Sequence, residues 1–139
     1  SKNILHRDLK PANVIYDKFL FPKICDFGLS KEIHEEVNIS EYQIGTPIFM
    51  SPEILVDKKY SKSSDVYAYA FLVYQMVTLE APYKGLGFPQ IYNNVVVLKK
   101  RPSFDCYIPE CYKELIEAFL AQNPNERPTF DQIVHISEK

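Results

Sequence analysis

The sequence predicts a mainly α-helical domain with one small β-hairpin near its start, and three observations lead there. Two short β-prone runs, 13–16 and 23–25, are separated by Asp17-Lys18 and Pro22, the turn-bounded spacing of a hairpin. Residues 63–79 are apolar nearly all round, which requires a buried helix rather than an amphipathic one. Further on, Tyr112, Leu115, Ile116, Phe119 and Leu120 recur at i, i+3, i+4, i+7 and i+8, placing one apolar stripe on a helix.

The elements follow in chain order. After the hairpin, 29–44 loses clear periodicity and gains Glu32, Glu35, Glu36, Asn38, Ser40 and Glu41, the composition of a mobile polar loop. The buried helix has Ser63 or Ser64 as its expected N-cap, and Pro82 lies just past its end. A shorter helix is expected over 89–98, with Pro89 in its first turn and the β-prone Val95-Val96-Val97 arguing against it. The striped helix ends at Asn123-Pro124, and Thr129 with Gln132 forms a capping-box pair that opens a last helix through Ile133, Val134 and Ile136.

At 139 residues the chain suits one domain, burying roughly 68% of its unfolded surface. The 46% apolar and 24% charged content is ordinary for a globular protein, and without Trp the bulky packing falls to Tyr and Phe. A formal charge of −2 gives no general attraction for nucleic acid or an anionic membrane, and the short basic run Lys99-Lys100-Arg101 reads as a solvated turn. Three cysteines, Cys25, Cys106 and Cys111, lack C-x-x-C spacing, which argues against a disulfide framework or structural zinc and for reduced thiols in a cytoplasmic setting. No signal peptide is indicated within this stretch. The longest apolar run, 68–79, is interrupted by Gln75 and is too short to span a membrane. Cys25 itself reads as a small buried apolar residue ending a strand.

Chemistry is concentrated near the start. His6, Arg7, Asp8, Leu9 and Asn13 fit H-R-D-L-x-x-x-N at every fixed position, followed in order by Asp26-Phe27-Gly28 and by Ser51-Pro52-Glu53, a near match to A-P-E. Taken singly, Asp8, Asn13 and Asp26 would be turn formers. Together, inside two intact motifs, they point to a site.

On these motifs the chain resembles the eukaryotic protein kinases, from their catalytic loop almost to the end of the domain. The resemblance implies the fold of the kinase C-terminal lobe over 1–139, and transfer of the ATP γ-phosphoryl group to a protein hydroxyl with Mg²⁺. It makes Asp8 the carboxylate that orients the hydroxyl and takes its proton, and Asn13 and Asp26 the magnesium ligands. Lys10 would set a charge near the transferring phosphate, Thr46 would bridge Lys10 and Asp8, and Ile15 would floor the nucleotide pocket. His6 and Phe27, followed by Gly28, resemble the stacked residues of the family's regulatory column. Asp65 resembles the carboxylate that holds catalytic-loop backbone. Glu53 and Arg127 resemble a buried ion pair tying the activation segment to the last helices, and Arg7 the residue that collects a loop phosphate, for which Ser40 and Tyr42 lie in the right stretch.

Lys10 and Gly45-Thr46-Pro47 resemble serine/threonine kinases, while 65–70 through Pro82-Tyr83 resembles the tyrosine-kinase-like group; Ser51, Tyr67 and Ala70 stand where Ala, Trp and Gly are common. Within these residues there is no G-x-G-x-x-G loop, lysine strand or αC glutamate, so the expected partners are a protein substrate and a missing N-terminal lobe. Without that lobe, these residues are expected to bind ATP weakly and turn over little. The alternative is a kinase-like binding module, or an inactive fragment, that uses the apolar patch around Ile15, Cys25 and Phe27 to hold a partner.

Overall fold

A computed structural model describes residues 3–32 and 45–138. Two short antiparallel pairs lie at the start. Strand β1 (Ile4–Leu5) pairs with β4 (Lys31–Glu32), and β2 (Val14–Tyr16) pairs with β3 (Pro22–Ile24), with Val14 opposite Ile24 and Tyr16 opposite Pro22. Among the described residues, five α-helices follow: α1 (Pro52–Asp57), α2 (Lys62–Thr78), α3 (Phe88–Tyr92) running on into a π-helical turn (Asn93–Val97), α4 (Glu110–Phe119) and α5 (Phe130–Ser137). The helix-rich plan with a small hairpin agrees with the sequence expectation.

Helix α2 is the axis of the core. Its Tyr67, Ala70, Phe71 and Tyr74 pack with Ile116, Phe119 and Leu120 of α4 and its C-cap, and with Ile133 of α5. On another side, Ala68 and Leu72 receive Leu9, which seats the residues around Asp8 directly on this helix. A second cluster joins Leu5, Met50, Ile54, Leu55, Tyr60, Ile91 and Val95, packing α1 and α3 against β1. A helix packed on several sides over most of its length has little solvent face to mark with polar residues, which is why its sequence shows no stripe.

Several local expectations are corrected. The N-cap of α2 is Ser61, not Ser63 or Ser64: its hydroxyl accepts from the Ser64 amide at 3.2 Å, and the Ser64 hydroxyl accepts from the Ser61 amide at 2.8 Å. Ser63 instead donates to the Pro124 carbonyl at 2.6 Å. The valine triplet does not break the helix at 89–98 but is absorbed in the π-turn, where the Leu98 amide reaches back to the Asn93 carbonyl and Val95 turns into the core. Tyr112 is 44% exposed, so the buried stripe of α4 begins at Leu115. Cys25 is half-buried, because it leaves β3 for an open turn rather than the core. The expected polar loop begins with β4, and Ser40 and Tyr42 lie outside the described residues.

The basic run also divides. Arg101 turns inward and donates from Nε to the Leu120 carbonyl and from a terminal nitrogen to Gln122, both under 3 Å, while Lys99 and Lys100 are exposed. At the other end of the chain, Arg127 is fully buried and forms a two-pronged pair with Glu53 at 2.7 and 2.9 Å. Removing one partner strands a buried charge, at about 3–5 kcal/mol. Arg127→Ala should therefore lower the midpoint of thermal unfolding by roughly 10 °C or more, and a shift under about 2 °C would show that the pair is not buried in solution.

Candidate active site

Asp65, in the first turn of α2, sets the geometry of the site. Its two carboxylate oxygens accept the backbone N–H groups of His6 at 2.7 Å and Arg7 at 3.0 Å. Both bonds join one buried side chain to consecutive amides nearly sixty residues away. Arg7 has φ of +65°, a conformation that disfavours residues with a Cβ, and the paired hydrogen bonds from His6 and Arg7 to Asp65 hold it there. Asp8, next in the chain, reaches Thr46 with its side chain. Arg7 itself points elsewhere, with Nε donating to the Leu29 carbonyl and its guanidinium 5.7 Å from the Tyr60 ring centroid.

Gly45 completes the approach. Its φ is +114°, and a Cβ there would come within 2.7 Å of the Arg7 carbonyl oxygen, so only glycine lets the two chains meet. Thr46 then donates its hydroxyl to Asp8 Oδ1 at 2.9 Å and accepts from Lys10 Nζ at 2.9 Å, while Lys10 lies 3.3 Å from Asp8 Oδ2. The structure thus brings Asp8, Lys10 and Thr46 into one network. The Asn13 amide nitrogen donates to the Asp8 carbonyl at 2.8 Å, which turns its oxygen away from that contact.

The hairpin adds Asp26. The Cys25 amide donates to the Asn13 carbonyl at 2.8 Å, one rung beyond the β2–β3 pairing, so Asp26 leaves the hairpin beside Asn13. Asp26 has φ of +58°, and one of its oxygens lies 3.4 Å from the Gly28 amide. His6 Nε2 donates to the Cys25 carbonyl at 2.9 Å, and its Nδ1 lies 3.3 Å from the Asp8 amide nitrogen. The Phe27 ring meets His6 edge-on at 5.1 Å between centroids. Ile15 is 52% exposed and Phe27 is 54% exposed, so the face of the hairpin beside the site is apolar and open.

The donor chemistry suits a hard cation. An amide oxygen and a carboxylate, with phosphate oxygens to fill further positions, are what Mg²⁺ takes, whereas the described residues hold no cluster of three His, Cys, Asp or Glu side chains suited to a transition metal. Arg101 is the residue near this framework that sequence reasoning missed, because its inward turn depends on the distant carbonyl of Leu120.

Residues 1–137 match the protein kinase domain family. Similar proteins from Dictyostelium discoideum include dual specificity protein kinase shkB, 37% identical over 136 residues, which cover 96% of this chain and 21% of that protein. A probable serine/threonine-protein kinase is 37% identical over 133 residues, covering 96% of this chain and 14% of its own length. Probable serine/threonine-protein kinase drkB is 36% identical over 135 residues, covering 97% and 19%. The chain therefore spans about a fifth or less of these relatives. No helix of the described residues is long and apolar enough to cross a membrane.

Burial pushes the Asp65 carboxyl up from its ordinary 3.8, against the downward pull of the His6 and Arg7 amides and of the nearby Arg7 charge. A folded value above the unfolded one means that the stability contributed by its titration is present below 3.8 and lost as pH rises through the raised value. The stability of the native protein, less that of Asp65→Asn, should accordingly fall as pH rises from about 3.8, as read by urea unfolding; a difference that stays flat contradicts the raised value.

Proposed function

This chain belongs to the protein kinase domain family, and from that membership we propose that it is the C-terminal catalytic lobe of a serine/threonine kinase of the tyrosine-kinase-like group. The single observation that carries the proposal is the network in which Thr46 bridges Asp8 and Lys10 at 2.9 Å on each side. Phosphoryl transfer asks for an aligned hydroxyl, an acceptor for its proton, and cations on the phosphate oxygens. Asp8 supplies the acceptor: it orients the incoming alcohol and takes its proton as the oxygen–phosphorus bond forms and ADP leaves. Lys10 places its ammonium beside that carboxylate, next to where the transferring phosphate would lie. Thr46 holds both side chains in register.

Asn13 and Asp26 would hold Mg²⁺, which supplies positive charge to the phosphate oxygens when bound. Ile15 would lie under the nucleotide base. The Gly-rich loop and strand lysine that grip phosphates from above are not among these residues. The open face formed by Ile15, Tyr16, Ile24 and Phe27 is where an N-terminal lobe would close the site. That same exposed face also favours a second reading, a kinase-like module that holds a partner protein.

The test is transfer of labelled phosphate from Mg-ATP to casein by the complete expressed polypeptide that carries these residues. Asp8→Asn should reduce kcat by roughly 10²–10⁴-fold while leaving the KM for ATP nearly unchanged. Full activity in that variant contradicts the catalytic proposal, and partner capture without any transfer by the native protein favours the second reading. Label on tyrosine rather than serine or threonine would correct the acceptor class.

A further inference from the structure

We propose that Arg101 is a positioning residue for phosphoryl transfer, forming with Arg127 a two-arginine clamp on Tyr67 that fixes Glu53 and, through it, the segment carrying Thr46. The inference rests on the kinase reading above, but its geometry stands apart from it. Arg101 Nε donates to the Leu120 carbonyl at 2.9 Å, and Arg127 Nε donates to the next carbonyl, Ala121, also at 2.9 Å. Both guanidinium groups lie against one buried ring, at 5.3 Å and 4.9 Å from the Tyr67 centroid. Two cations thus lie at the C-terminal end of α4 and against the ring of a single tyrosine that is 0% exposed.

The two arginines differ in what they do next. Arg127 extends to Glu53, and its other nitrogen reaches the Ser63 carbonyl at 3.1 Å. Arg101 has no carboxylate partner among the described residues; its remaining nitrogens go to Gln122 at 2.7 Å and the Lys100 carbonyl at 3.1 Å. The carbonyls at a helix C-terminus and an aromatic face are the two neutral environments that stabilise a cation, and Arg101 uses both. Its planar fork is needed, because one ammonium cannot lie flat on the ring and also reach Leu120 and Gln122.

The mechanical route to the site is short. Glu53 is the second residue of α1, preceded by the fully buried Ser51 and by the tight turn Pro47–Phe49. Phe49 packs 5.9 Å from Phe71, and Thr46 directly precedes the turn. Releasing Arg101 frees one side of the Tyr67 ring, loosens Arg127, and lets Glu53 and the turn shift relative to Asp8. A residue that merely capped α4 would have no such dependence on Glu53.

The experiment is a double-mutant cycle in the complete expressed polypeptide, with Arg101→Gln, Glu53→Gln and both together, read by thermal unfolding and by Mg-ATP phosphorylation of casein. Arg101→Gln should lower kcat roughly fivefold or more with the KM for ATP within about twofold, and Arg101→Lys should fail to restore it. Adding Arg101→Gln to Glu53→Gln should change neither melting temperature nor kcat further. If Glu53→Gln does not fold, Tyr67→Leu replaces it in the cycle, with the same loss of additivity expected. Additive effects, or restoration by lysine, overturn the clamp while leaving the kinase reading intact. Absence of transfer by the native protein instead overturns the kinase reading and the positioning role with it.

Discussion

One buried carboxylate constrains most of what lies near the site. Asp65 receives consecutive amides from His6 and Arg7, and those two bonds hold a left-handed turn that a non-glycine residue would otherwise avoid. The turn gives Asp8 its direction, and the close approach at Gly45 gives Thr46 its place beside Asp8. Burying a carboxylate is unfavourable unless its oxygens are hydrogen-bonded, and here each oxygen has an amide. The loop is ordered by the same bonds that compensate the burial.

A second buried charge reaches the same region from the far end of the chain. Arg127 binds Glu53 just after the segment carrying Thr46 and also takes the Ser63 carbonyl, two residues before Asp65. The first turn of α2 is therefore a junction, with the backbone of His6 and Arg7 attached through Asp65 and the last helices attached through Ser63. Leu9, packed on Ala68 and Leu72, adds an apolar contact between them. The loops at residues 6–9 are made stiff here by one largely buried helix.

Much of this was legible in the sequence because motif residues at fixed spacing and a helix without a polar side leave clear traces. The reciprocal cap of α5 was also readable, since Thr129 and Gln132 are local partners. What escaped were features decided by tertiary contact. The β1–β4 pair has two residues per strand, too few to show alternation. Ser61, Ser63 and Ser64 are all competent caps, and the choice among them depends on Pro124 capturing the Ser63 hydroxyl. Arg101 reads as a solvated charge because its acceptor lies nineteen residues away, at the C-cap of α4. Tyr112 fell on the helical stripe by period, yet no element covers it among the described residues.

The central claim is that Asp65 holds the backbone of His6 and Arg7, and amide hydrogen exchange at those two residues tests it most directly. Hydrogen bonds to a charged acceptor contribute about 1.5–3 kcal/mol, so replacing Asp65 with Ala should speed exchange at these two amides at least about tenfold. The amide of Leu120, bonded within α4 to the Ile116 carbonyl, should keep its rate. Equal exchange at His6 and Arg7 with and without the carboxylate would contradict the account.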